Sequence, residues 1–430
     1  MAKKRIIIVG AGLSGLSAAW HLRKQGLEPV IFEKEPEAGG LCRSKKVGGF
    51  TFDTDGHLLH FKHPYAFELV RGLLNGNLKE HRKNSWIYSY GRYTRSPFQA
   101  NLYGLPPAVI KECLVEFIRS SADGYAKQHT NFLDWINHKF GKGIARHFML
   151  PYNTKFWTVH PRDMNCLWLD GFIPTPSLRR VIEGTVHESK KPLGYNAHFW
   201  YPKKGGIGQL ALGLARHIKH IFTDTRVIKI EPHKKEITLS SGRRERYDYL
   251  ISTAPLPELP LMMSDIPREM LVSFGQLKWN SIYNINLGFA KPDGSGRHWI
   301  YFPEKNFSFF RVGFYHTFSP SLVPADLSSL YAEVSYSKGR PLDKAGILSR
   351  VEDDLRAVGI LGDRDQIYCR QVNDIDYGYP IYDKHYEQAR AAIMQYLHAR
   401  DIFPCGRYGS WGYFSMEGAI MDGKRVAELF

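Results

Sequence analysis

The chain has 430 residues, 43% of them hydrophobic and 23% charged, with a formal net charge of +16. That length exceeds one small core and implies two or three structural units, while the composition excludes a disordered or collagenous chain. Basic residues are spread without long blocks and no nucleic-acid motif accompanies them, so the charge points to a basic soluble surface or to polyanionic small molecules, not to nucleic acid.

The first ten residues open like an export signal, but the apolar run Ile6-Ile-Ile-Val9 is short, ends in glycine and has no cleavage site after it. Arg5 to Val9 therefore reads as a first strand. A glycine turn follows, then an amphipathic helix from about Leu13 to Gln25, stopped by Gly26. Pro29 to Glu33 reads as a second strand, which completes a βαβ start with a right-handed crossover. Residues 104–190 look helical and aromatic-rich. Gln209 to Ile218 reads as a helix, followed by strands at Thr225–Ile230, Glu236–Ser240 and Tyr247–Ser252. Residues 280–340 look strand-rich, Ala345 to Val358 helical, and the last thirty residues return to a strand, a glycine-rich turn and a helix. No apolar stretch reaches the roughly 18 residues of a membrane span. The five cysteines, Cys42, Cys113, Cys166, Cys369 and Cys405, contain no CxxC pair, which suggests neither a disulfide framework nor a zinc site and fits a reducing cytoplasm.

Gly10-Ala-Gly12-Leu-Ser14-Gly15 fits G-x-G-x-x-G, between a strand and a helix and ahead of Glu33 at the end of the next strand. Gly10 permits the tight turn, Gly12 lets backbone approach a pyrophosphate, and Gly15 allows close helix–strand packing. The helix N-terminus offers free N–H groups and a positive dipole end to phosphates. Glu33 is placed to accept hydrogen bonds from an adenosine ribose. Gly39-Gly40-Leu41-Cys-Arg43 begins six residues after Glu33. This pair of glycines near a basic residue resembles the extension found in two-dinucleotide-domain flavoproteins, so FAD is expected in preference to NAD. Phe52-Asp-Thr-Asp-Gly56-His57 follows where such proteins bring a glycine turn to the isoalloxazine ring. Val227 lies in a strand placed either to clamp the adenine or to act as an ordinary core valine.

Further blocks carry a more specific resemblance. They are Asp55-Gly-His57, Ser96-Pro-Phe-Gln-Ala-Asn101, Phe148-Met-Leu-Pro-Tyr-Asn153-Thr-Lys-Phe-Trp157, Tyr195-Asn196-Ala-His-Phe, Gly205-Gly206-Ile-Gly208, Trp299-Ile-Tyr301 through Arg311, Tyr377-Gly-Tyr379-Pro and Gly406-Arg407 through Trp411-Gly-Tyr413. In order and spacing the chain resembles the UDP-galactopyranose mutases, more their eukaryotic-type branch than the bacterial one. The resemblance implies an α/β fold: a discontinuous Rossmann-type FAD-binding domain over 1–82, 200–258 and 400–430, a helical domain over 104–192, and an antiparallel-sheet domain over 83–103 and 259–399. It implies a ring contraction without net redox change, in which N5 of reduced FAD attacks the anomeric carbon of a nucleotide-linked sugar.

By the same resemblance, His57 would hydrogen-bond reduced flavin and Arg407 and Glu417 would lie near it. Arg311, Tyr379 and Tyr413 would hold the diphosphate. Asn153, Trp157, Trp299 and Tyr301 would bind nucleoside and sugar, and Asn196 the sugar. Each has a plain alternative: a structural histidine, core tryptophans, tyrosines packed in turns. Arg311 is the hardest to explain structurally, because an unpaired buried guanidinium is costly and wants an anion.

Two departures stand out. The family's second diphosphate arginine should fall in Trp168-Leu-Asp-Gly-Phe172, where this chain has Phe172, with Arg179 and Arg180 as candidate replacements. The tail after Tyr413, Phe-Ser-Met-Glu417-Gly, is shorter than the family's polar loop. Both put UDP-galactose itself in question. The N-terminal unit is also shared by oxidases and desaturases of the amine-oxidase and protoporphyrinogen-oxidase type, and a non-catalytic flavoprotein is a third reading. No second glycine motif serves NADPH or NADH, so a nicotinamide reductant would borrow the substrate site. No oligomeric state is implied.

Overall fold

The computed structural model describes residues 4–122, 129–169, 171–189, 193–194, 196–290 and 294–430. Tyr195, in one of the matched blocks, and Asp170, beside Phe172, lie outside them.

Strand Ile6–Val9 is apolar and fully buried, as expected of the middle of a parallel sheet covered on both faces. It pairs in parallel with Val30–Phe32 on one side and Tyr249–Ser252 on the other, and Ile221–Phe222 and Ile402–Pro404 complete a five-stranded parallel sheet. Helix Leu13–Lys24 crosses between the first two strands. The sheet thus recruits strands from the beginning, middle and end of the chain. A three-stranded antiparallel sheet, Val227–Glu231, Glu236–Leu239 and Arg244–Arg246, is inserted before Tyr249.

The second large sheet has seven strands in the order Ile367–Ile381, Lys278–Phe289, Ser328–Tyr336, Arg311–Phe314, Trp299–Tyr301, Ser85–Ser89 and Arg92–Arg95. All neighbours are antiparallel except Ser85–Ser89 against Trp299–Tyr301. Helices Pro107–Ala122, Phe132–Ile144, Leu150–Trp157 and Leu178–Val186 form the helical part. A π-helical turn at Ala145–Met149 joins the second and third of these. The α/β fold class holds. The expected elements appear within a few residues of their expected ends, but strand Ile367–Ile381 and helices Pro64–Leu74 and Tyr386–His398 had not been anticipated. Among the described residues no helix is long and apolar enough to cross a membrane.

Candidate functional site

The site begins at the first turn. Gly10 has φ +96°, a left-handed conformation that side chains resist, and a Cβ there would strike Thr253. A Cβ on Gly15 would collide with the carbonyl of Gly10, so helix and strand can close only because both residues are glycine. At Gly12 the space where a Cβ would stand is open, and Gly12 lines a cavity of about 580 Å³. The second glycine pair laces onto the first: the Gly39 N–H donates to the Ala11 carbonyl at 2.8 Å. Glu33 is buried and accepts from the N–H groups of Ala11 at 2.6 Å and Glu35 at 2.9 Å, which ties the end of the second strand to the turn. The Arg43 Nε donates to the Gly40 carbonyl at 2.8 Å. Ser14, Glu33, Gly39, Gly40, Leu41, Arg43, His57, Val227 and Arg407 all line the same cavity with Gly10 and Gly12. A helix N-terminus, an open glycine cradle and a carboxylate at the second strand's end suit a dinucleotide.

Beyond His57 lies a chamber built of side chains. Gly56 is packed so closely against Tyr331 that a Cβ would overlap its ring. The backbone N–H of His57 donates to the Asp55 carbonyl at 2.8 Å, which fixes the turn. Burial pushes His57 below the ordinary imidazole range, opposed by Asp55 and reinforced by Arg407, so it is held neutral. Arg407 donates its Nε to the Phe414 carbonyl at 2.9 Å and lies 4.8 Å over the Tyr379 ring. Tyr379 and Tyr413 have ring centroids 5.6 Å apart, and Trp157 packs on Tyr413 at the same distance. Burial pushes both phenols up, with Arg407 and Arg311 opposing, so both hydroxyls stay protonated. Tyr301 stands opposite Arg311 in register on the adjoining strand.

The anion that a buried Arg311 wants is supplied within the protein itself. The guanidinium forms a bidentate pair with Glu333 on the neighbouring strand, through Nε and through Nη2 at 2.6 Å. Glu333 is fully buried; burial pushes its carboxyl up while Arg311 opposes and nearby Asp55 adds to the rise. Asp55 in turn accepts from Asn284 Nδ2 at 3.1 Å. The internal carboxylate removes the cost of burying the guanidinium, and the remaining N–H groups of Arg311 are the ones available to a ligand.

His57, Trp157, Tyr301, Arg311, Tyr379, Arg407 and Tyr413 thus share one neighbourhood. Trp299 borders that neighbourhood beside Tyr301 and packs on Phe199 with centroids 5.7 Å apart. Others make their contacts elsewhere. The Asn153 amide donates to the Met149 carbonyl, at the end of the preceding π-helical turn, at 2.8 Å. Asn196 accepts from Lys83 at 2.7 Å. Glu417 accepts from the N–H groups of Lys62 at 2.8 Å and His63 at 2.7 Å, at the start of helix Pro64–Leu74. Arg179 is exposed and paired with Glu183 at 2.9 Å. Lys62 stands over Phe172 at 5.3 Å, and Phe172 meets Tyr413 edge-on at 4.9 Å. Sequence reasoning missed Glu333, Asp55 and Lys62. One available signal was the asparagines Asn284 and Asn286, two polar residues on one face of an apolar strand, both fully buried.

A family model described as flavin-containing amine oxidoreductase matches residues 13–429. Among solved structures, a crystal structure of reduced UDP-galactopyranose mutase is similar with a TM-score of 0.94 and 29% identity, over 100% of this chain and 94% of that one. A putative protoporphyrinogen oxidase from Exiguobacterium sp. shares the fold, with a TM-score of 0.78 and 15% identity over 100% of this chain and 99% of that one. Among curated relatives, the probable flavin-containing monoamine oxidase A of Dictyostelium discoideum is 38% identical over 271 residues, 58% of this chain and 57% of that protein. The 1-hydroxycarotenoid 3,4-desaturase of Flavobacterium sp. is 40% identical over 146 residues, 32% of this chain and 30% of that protein. The chain therefore spans less than two thirds of the length of either curated relative.

Proposed function

Because the chain belongs to the flavin-containing amine oxidoreductase family and has the fold of UDP-galactopyranose mutase, we propose that it is a flavin-dependent mutase interconverting the pyranose and furanose forms of a nucleotide-linked sugar. The observation that carries this reading is the pair of guanidiniums, Arg311 and Arg407, that shares a neighbourhood with two tyrosines and a neutral histidine at the margin of the glycine-lined cavity. Arg407 and the N–H groups of Arg311 left over from its pair with Glu333 are donors suited to a diphosphate. FAD, when bound and reduced, would supply the nucleophile for ring contraction.

The protein's own residues bind and orient. Gly10 and Gly12 would hold the pyrophosphate of the cofactor at the helix N-terminus, which Gly15 lets pack against the strand, and Glu33 would take its ribose. Arg311, pre-aligned by Glu333, holds the substrate diphosphate together with the hydroxyls of Tyr379 and Tyr413. Trp157 and Tyr301 pack the nucleoside and sugar. His57 would present a neutral imidazole to the flavin. Such fixed groups lower a barrier by positioning and by preorganised charge. A nicotinamide reductant, NADPH or NADH, would have to enter through the substrate chamber.

The test is direct. Protein reduced anaerobically with dithionite is incubated with UDP-galactopyranose, dTDP-fucopyranose and UDP-arabinopyranose, and products are resolved by chromatography and NMR. A furanose made only by the reduced protein supports the mutase. The names of the curated relatives favour a second reading, an FAD-dependent oxidase or desaturase. Turnover-dependent oxygen uptake with amines or porphyrinogens, and no furanose from any sugar, would establish that reading in its place.

A further inference from the structure

Neighbouring strands of the seven-stranded sheet set a row of polar residues in register, Arg311 beside Glu333 and Glu333 beside Asn284. Glu333 is fully buried and gives its carboxyl to the bidentate pair with Arg311. Asn284 is fully buried as well. Its Nδ2 donates to the Asp55 Oδ1 at 3.1 Å, and its Oδ1 accepts from Asn373 at 3.3 Å. Asp55, itself buried, reaches this row from the turn that carries His57, and its carboxyl is in hydrogen-bond contact with that of Glu333.

An ionised carboxylate only accepts hydrogen bonds, so a bond between two carboxyls requires a proton. The charge count agrees. With both carboxyls ionised, the Arg311 guanidinium faces a double negative charge out of water; with one proton on the pair, the group as a whole is neutral. Burial pushes the Glu333 carboxyl up from 4.5 to about 8, with Arg311 opposing and Asp55 adding to the rise. Tyr152, Tyr301 and Tyr331 face Glu333, and burial pushes all three phenols up, so they stay neutral. Asp53, His57, Tyr315, Tyr379 and Tyr408 face Asp55. Burial raises these phenols too and holds His57 neutral, while Asp53, pushed up to about 6, titrates below Glu333.

We propose that Asp55 and Glu333 share a single proton and that binding of the substrate diphosphate at Arg311 is coupled to it. This rests on the mutase reading, in which Arg311 takes the diphosphate. Negative charge added at Arg311 makes the shared proton harder to lose, so the bound state keeps it to higher pH than the free state. Where the free pair has already lost it, binding takes one proton from solvent onto a carboxyl oxygen. By reciprocity, affinity falls as pH rises through that window. Asp55 and Glu333 are thus positioning residues: with the proton in place they align Arg311 while opposing it with a single negative charge, and its attraction for the diphosphate is kept.

Flavin-loaded protein is titrated calorimetrically with UDP from about pH 7, where the terminal phosphate is largely ionised, to about pH 9.5. Buffers of different ionisation enthalpy count the protons taken up at each pH. Glu333→Gln and Asp55→Asn variants are measured alongside, with flavin absorbance reporting intact folding. The expected result is most of one proton taken up per UDP between about pH 8 and about pH 9, and UDP binding about tenfold weaker at the alkaline end than at neutral pH, as one linked proton allows. Both effects vanish in either variant that folds, because neither retains two carboxyls. If the wild type binds UDP without proton uptake, or if uptake survives in a folded variant, the shared proton is overturned and the mutase reading stands. Failure of UDP to bind the wild type at any pH overturns both.

Discussion

The glycine-lined cavity and the Arg311 chamber adjoin at His57 and are built in opposite ways. One wall of the cavity comes from a single stretch, Gly10 to Arg43, and its contacts are mostly backbone: Ala11 N–H to Glu33, Gly39 N–H to the Ala11 carbonyl, Arg43 to the Gly40 carbonyl. The chamber is assembled from side chains carried by helix Leu150–Trp157, three strands of the seven-stranded sheet and the turns around Arg407 and Tyr413. Its central charge is balanced by Glu333 from the adjoining strand. A backbone cradle accepts one kind of cofactor and leaves little to vary. A side-chain chamber can change its ligand by exchanging a few residues, as Phe172 with Lys62 above it illustrates.

Four perturbations sharpen that contrast. The largest effect is expected for Gly15→Val, because the new side chain must displace the Gly10 backbone and not a flexible side chain. The protein should purify without flavin and lose more than about 3 kcal/mol of stability, read by absorbance and urea unfolding. Retention of flavin would mean that the turn can yield. Arg311→Leu should come next. It leaves Glu333 buried without its partner and should cost about 3 kcal/mol, while the double variant with Glu333→Gln recovers much of the loss. A double variant as unstable as the single would show that packing, not charge, dominates the chamber.

The third concerns pH. Burial pushes the Asp53 carboxyl up from 3.8 to about 6, against the bonds it accepts from Ser44, Tyr201 and the Ile207 N–H. Because the folded value is the higher one, its contribution is present below about 4 and is lost as pH rises through about 6. The change is about 2–3 kcal/mol. Denaturation midpoints measured across this window should fall with rising pH from this group, and Asp53→Asn should flatten that part of the profile. An unchanged slope in the variant would assign it elsewhere. The smallest effect is expected for Glu417→Gln, which keeps an acceptor for Lys62 and His63 but removes the charge at the start of helix Pro64–Leu74. About 1 kcal/mol should be lost, with flavin content unchanged; loss of flavin would instead place Glu417 in the cofactor site.

The legible parts were those in which a local pattern carries its own physics. The glycine spacing, the buried apolar strand Ile6–Val9 and the Gly26 stop each act over a few residues. Strand Ile367–Ile381 was missed because its residues alternate between half-buried and exposed and include many polar ones, so no apolar run announces it. Yet its stretch from Val372 to Tyr377 lines the cavity. Helix Pro64–Leu74 lacks an N-terminal side-chain cap of its own, and the backbone N–H groups just before it, of Lys62 and His63, are met by Glu417 from the far end of the chain.

By itself the sequence determined the dinucleotide cradle, since turn geometry, helix dipole and glycine packing are properties of adjacent residues. Only the tertiary structure decided which charges face one another. Arg311 and Glu333 lie on adjoining strands in direct register, Asn196 is bonded to Lys83, and Lys62 stands over Phe172. Coulomb and hydrogen-bond energies depend on separation in space, and no local pattern specifies that separation for residues far apart in the chain.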